Sequence, residues 1–232
     1  MKLKNLIKIV ILSVFAAFIF YYNGCSDDSV TTPTNQDNLE MSYTSTSDTT
    51  DNIGILILDT VKVLINNIKL KIASSSDTTD FKPGPYVLYL NFNTGVNFIG
   101  SGYIPVGTYD KVQFDIHKLG STEPAPDPEF RDTNGVTYSV IAKGTYNNVG
   151  FIFKTDKGAK QKLNFPNALI VTETRTNITL QVRPYIWFID SNNEYMDPSN
   201  PANRNEIESN MIDNIKASFK AFKDDNKDGI PD

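Results

Sequence analysis

The chain has 232 residues, a formal net charge of −5, one cysteine and one histidine. An acidic balance without a basic cluster argues against nucleic-acid binding and against electrostatic attachment to anionic lipid. A lone cysteine cannot form an internal disulfide, and one histidine with one cysteine is too few for a zinc site built on those ligands.

In chain order, Lys2, Lys4 and Lys8 precede an apolar run from Ile9 to Phe20 that only Ser13 interrupts. Twelve residues are too few for a bilayer core, which needs about 20. A basic start, a short apolar run and the small residue Gly24 before Cys25 describe an export signal. The segment "YYNGC" resembles the lipobox of bacterial lipoproteins, in which the cysteine is acylated and becomes the mature N-terminus. It departs from that pattern at Tyr22 and Asn23, where an aliphatic and a small residue are usual. The following "CSDDS" is similar to the acidic stretch of surface-exported Bacteroidetes-like lipoproteins. Residues 1–24 therefore read as a signal peptide, and its removal takes away three lysines and no acid, leaving a net charge of −8.

Residues 25–52 are rich in Ser, Thr, Asp and Asn and read as a polar tether behind the acylated Cys25, with "LEMSY" as a first edge strand. From Ile53 the pattern turns to period two. Val61, Val63 and Ile65 alternate, then Ile68, Leu70 and Ile72 with the parity flipped, so Asn66-Asn67 marks a bulge or bend. Further strands are predicted in "YVLYLNFN", "YDKVQFDIHKL" and "TYSVIAKGTY", the last forming a hairpin with "GFIFKT" around Asn147-Asn148. The longest strand signal is "NITLQVRPYIWFID", with Ile178, Leu180, Val182, Ile186 and Phe188 on one face and Tyr185 and Trp187 on the other. Pro184 within it favours an edge position or a bulge. About eight short strands divided by turn signals predict an all-β fold, a single antiparallel β-sandwich over 53–190.

Residues 191–232 form a separate appendage in this reading. Asn203 and Glu206 suit a cap box, and Ile207, Met211, Ile215, Phe219 and Phe222 form a stripe. Together they predict one C-terminal amphipathic α-helix of about five turns. The segments "IGSGYIPVGTYDKVQFDI" and "LNFPNALIVTETRTNITLQVRPYIWF" resemble a bacterial lipoprotein family of unknown function with an immunoglobulin- or transthyretin-like sandwich. The resemblance covers about 53–190 and implies a fold and an envelope address, with no catalytic residues to carry over.

No catalytic constellation is legible. His117 is the only imidazole and is expected to be exposed beside Gln113 and Asp115. The Gly-Ser-Gly at 100–102 lacks the spacing of a nucleophile elbow, and the chain reads as a non-enzyme. Tyr185 and Trp187 are either an exposed platform for a glycan or peptide, or core residues under the helix. The closing "DDNKDGIPD" resembles a calcium loop of the EF or thrombospondin type 3 kind. Asp224, Asn226, Asp228, the Ile230 carbonyl and Asp232 take positions 1, 3, 5, 7 and 9, and Gly229 takes position 6. The bidentate position 12 is missing, leaving the terminal carboxylate, water or Asp190, Glu194 or Asp197 to complete a Ca2+ shell, or else the stretch simply ends a helix. The expected function is a lipid-anchored, non-catalytic binding or structural module of the cell envelope that requires no cofactor. The alternative is a calcium-assisted glycan-binding or adhesion module.

Overall fold

A computed structural model describes residues 36–46, 54–82, 84–92, 95–212 and 215–232. Cys25, the apolar run and the acidic stretch behind the cysteine lie outside the described residues.

The period-two segments form strands, and each buries the face its alternation marks. Eleven strands are described: β1 (Leu39–Ser45), β2 (Leu56–Ile72), β3 (Thr78–Lys82), β4 (Tyr86–Leu90), β5 (Asn97–Gly102), β6 (Gly107–Ile116), β7 (Val140–Tyr146), β8 (Val149–Thr155), β9 (Ala159–Val171), β10 (Thr176–Val182) and β11 (Phe219–Lys223). Two short helices, α1 (Arg204–Ile212) and α2 (Ile215–Ser218), precede β11. The strands make a four-stranded sheet in the order β11-β10-β1-β5 and a seven-stranded sheet. The larger sheet runs β8-β7-β2-β6-β9, with β3 and β4 also on β2. Pairing is antiparallel except between β1 and β10. The fold is an all-β sandwich.

The long strand β2 organises the larger sheet. Val63 pairs with Leu88 of β4 and Val140 of β7, whereas Ile65 pairs with Tyr86 of β4 and Ile116 of β6. The register shifts between Asn66 and Lys69, and Asn67 adopts φ 52°, so the flipped parity is a bulge as predicted. The β7–β8 hairpin also turns where expected, with Asn147 and Asn148 both at positive φ, as a tight hairpin whose twist matches its strands requires. Val61, Val63 and Ile65 enter the main core between the sheets. Leu64 and Ile141 point the other way and form a second, smaller core with Leu119 and Phe130. The excursion between β6 and β7 thus straps across the outer face of the larger sheet.

Three expectations are corrected. The strand "LEMSY" is not an edge and not part of a tether, because β1 lies between β10 and β5 and is buried on both faces. The strand through Pro184 stops at Val182, since proline offers no N–H to a ladder, and Pro184–Phe188 is a 3-10 turn instead. The five-turn helix is broken: α1 and α2 use its first part, while Phe219–Lys223 pairs with Val182–Ile178 as an edge strand. A ladder on the free edge of β10 satisfies backbone groups, and it sends Phe219 and Ala221 into the core on alternate positions. Ahead of α1, Asn200 caps the 3-10 turn Pro201–Asn203 by accepting the Ala202 N–H at 3.0 Å, and the Asn203 amide donates to the Asp197 carbonyl at 3.0 Å. The sheet therefore draws strands from both sides of 53–190.

Candidate functional site

The segment from Val182 onward decides where Tyr185 and Trp187 go. In a strand they would share a face opposite Ile186 and Phe188, but the 3-10 turn coils the aromatic residues into the core. Trp187 is fully buried and stacks on Phe219, with centroids 6.3 Å apart and planes at 24°. Tyr185 packs edge-on against Phe92, and its hydroxyl accepts the Leu58 N–H at 3.2 Å. Phe188 lies between Phe151 and Phe153 of β8. Tyr185 and Trp187 are core residues, so of the two alternatives the exposed platform is excluded by their burial.

The closing loop folds back over the outer, polar face of the four-stranded sheet. Asp224 follows β11 directly and is fully buried. Its Oδ1 accepts the Asp228 N–H at 3.0 Å, and its Oδ2 accepts the Thr179 hydroxyl at 2.7 Å and the Gly229 N–H at 3.1 Å. Asn177 donates to the Asp224 carbonyl at 2.9 Å and accepts the Ser42 hydroxyl at 2.9 Å, so three strands join one polar chain. Gly229 sits at φ +81°, a conformation that favours glycine, and comes close to Val96 and Thr44.

The remaining calcium-loop residues are tied within the loop. Asp228 accepts the Ile230 N–H at 2.8 Å and the Asn226 amide at 3.0 Å. Asp232 accepts the Asp225 N–H at 2.9 Å and the Lys223 ammonium at 3.0 Å, and these bonds hold its carboxyl below the usual carboxylate range. Lys227 reaches Glu40 of β1 at 2.9 Å, and the Ile230 side chain is exposed. Asp190 and Asp197 close turns of their own by accepting the N–H of Asn192 and Ser199. Among the described residues no three acidic, histidine or cysteine side chains converge as a metal cage does. The arrangement is a clasp made of the loop's own amides, and the calcium reading rests on the sequence spacing alone.

His117 is half-buried rather than exposed, because the strap brings Glu123 to within 2.9 Å of its Nε2. The Gly120 N–H, and after it His117, lower the Glu123 pKa against the opposing effect of burial.

A second cluster went unremarked in the sequence. Lys62 lies on the outer face of β2, between Ile141 of β7 and Tyr89 of β4. Its side chain is 5% exposed, and its Nζ stands 2.6 Å from Asp127 Oδ2, 2.9 Å from Glu129 Oε2 and 4.6 Å from the Tyr89 ring centre. Asp127 caps the 3-10 turn Pro128–Phe130, its Oδ1 accepting the Glu129 N–H at 2.9 Å. Lys143 binds the other Glu129 oxygen, Oε1. Hydrogen bonds from Lys143 and then Lys62 hold Glu129 at about 2. Burial works to lower the Lys62 pKa, but its bonds to Asp127, Tyr89 and Glu129 and the Asp127 charge outweigh that and raise it. Lysine is ordinary on a strand's polar face, and its partners stand 65 residues and more further on, so no local signal marks the cluster.

Comparison with known protein families, curated proteins and solved structures finds no match to this chain.

Proposed function

We propose that this chain is a lipid-anchored protein of the bacterial cell envelope. Export carries it to the outer membrane, acyl chains on Cys25 hold it there, and the β-sandwich acts as a non-catalytic binding or architectural module. The observation that carries this reading is the position of the only cysteine, directly after a basic start and a twelve-residue apolar run and before an acidic stretch. Acyl chains contribute about 0.8 kcal/mol per buried methylene, so two or more anchor durably while the acidic body stays in water. The architectural side is supported by the way charged groups are used. Asp224, Glu129, Glu123 and Arg131 each hold a loop or strap in place. Metabolic labelling with a palmitate analogue tests the anchor. The wild type is expected to take up label and partition with membranes, and Cys25→Ala to do neither. An unlabelled wild type, or a labelled Cys25→Ala chain, overturns the proposal.

A further inference from the structure

The Lys62 cluster has the parts of a self-acylating site. A lysine ammonium and a carboxylate in contact can condense to an amide with loss of water, provided that water is scarce and a third group moves the protons. Contact and a sequestered lysine are supplied here, while Asp127 and Glu129 keep 18% and 37% of their side chains exposed. Lys62 is the most sequestered lysine among the described ion pairs, at 5% side-chain exposure against 23% for Lys71, the next. Leu64 and Ile141, its neighbours on the outer face of the sheet, belong to the small core that the strap encloses. Its Nζ is 2.6 Å from Asp127 Oδ2, and the Asp127 Oδ1 is held by a backbone N–H, where charge would build on attack at Cγ. Glu129 Oε2 stands 2.9 Å from the same Nζ, on a side chain that is 37% exposed. Its partner oxygen is fixed by Lys143, which keeps the carboxylate from turning away.

We propose that Lys62 and Asp127 join in an intramolecular isopeptide bond, with Glu129 as the proton carrier. The resting pair is an ammonium and a carboxylate. A proton passes from Nζ to Oδ2 along their hydrogen bond, giving an amine and a carboxylic acid. Nζ attacks Cγ, and the N–C bond forms. Glu129 takes a second proton from nitrogen and delivers it to Oδ2, whose bond to Cγ breaks as water leaves. The products are one amide and one water molecule, Glu129 returns to its carboxylate, and no oxidant, cofactor or activated donor is needed. Condensation of free acid and amine is unfavourable in bulk water. Fixing the two groups in contact replaces an encounter by an effective concentration of about 10⁵ M or more, which lowers the barrier to attack. Asp127 is the partner rather than Glu129 because it is nearer and is shared with no second lysine. The bond would staple the strap to β2, and it does not depend on how the chain is anchored.

Proteolytic peptide mapping by tandem mass spectrometry of the purified full-length chain tests the proposal. The wild type is expected to yield a branched peptide joining the Lys62 segment to the Asp127 segment, lighter than the two together by one water. Lys62→Arg keeps the charge and should yield linear peptides only. Glu129→Gln keeps the Lys62–Asp127 contact and should lose most of the branched product. Linear peptides alone from the wild type, with Lys62 and Asp127 unmodified, mean an ordinary ion pair and overturn the bond. An undiminished branched yield from Glu129→Gln overturns the role given to Glu129.

Discussion

Asp224 gives its two carboxylate oxygens to three donors, the Thr179 hydroxyl and the amides of Asp228 and Gly229, in a place that water does not reach. A buried acceptor of this kind stabilises less by the bonds it makes than by the donors it spares from burial without a partner. Asp224→Ala is therefore expected to cost about 2–3 kcal/mol. Asp224→Asn, which keeps one acceptor oxygen, should cost less. Urea unfolding reads both, and a midpoint unchanged in Asp224→Ala would show that the loop does not depend on this side chain. The same residue shows how far sequence carries. The alternation of Asp224, Asn226 and Asp228 before Gly229 marks a tight polar loop, and a tight polar loop is present. That the first carboxylate points into the protein follows from Thr179, on a strand 45 residues earlier, and no spacing rule within the loop contains it.

At the level of elements, the ends of β10 and β8 show local pattern giving way to pairing. Phe219 and Phe222 share one face of a helix but lie on opposite faces of a strand, where Ala221 joins Phe219 in the core. The free edge of β10 decides between helix and strand by offering a ladder to Phe219–Lys223. On the opposite flank β8 is an edge of the larger sheet, and α1 protects part of it. Arg204 donates to the Lys154 carbonyl at 2.6 Å, lies over the Phe153 ring at 5.1 Å and pairs with the buried Glu208 at 3.0 Å. An uncovered edge carrying the exposed Val149 and Ile152 would template pairing with another chain. Arg204→Ala is expected to self-associate at concentrations where the wild type does not, measured by light scattering after size exclusion. If both chains show the same mass across the concentration range, Arg204 is not guarding that edge.

For the whole molecule, the sandwich is closed by segments from far apart in the chain. β1 and β11 flank β10, so the four-stranded sheet takes one strand from the supposed tether and one from the supposed appendage. A chain ending at Ser218 would lose β11, Phe219 from the stack on Trp187, and the clasp that covers the polar face. Large-to-small changes at buried aromatics alone cost about 3–5 kcal/mol, comparable to the stability of a small domain. The truncated chain is expected to lose its cooperative unfolding transition, followed by near-ultraviolet circular dichroism. A sharp transition with an unchanged midpoint would restore the tail to an appendage. By itself the sequence determined the strand periods, the bulge at Asn66-Asn67, the hairpin at Asn147-Asn148 and the marked position of Cys25. All of these are properties of neighbouring residues, set by backbone sterics and side-chain alternation. Only the tertiary structure decided that Phe219–Lys223 is a strand, that Tyr185 and Trp187 are core, and that Lys62 meets Asp127 and Glu129. Those outcomes depend on which free edge or buried charge lies near in space, and local periodicity carries no information about a partner 65 residues away.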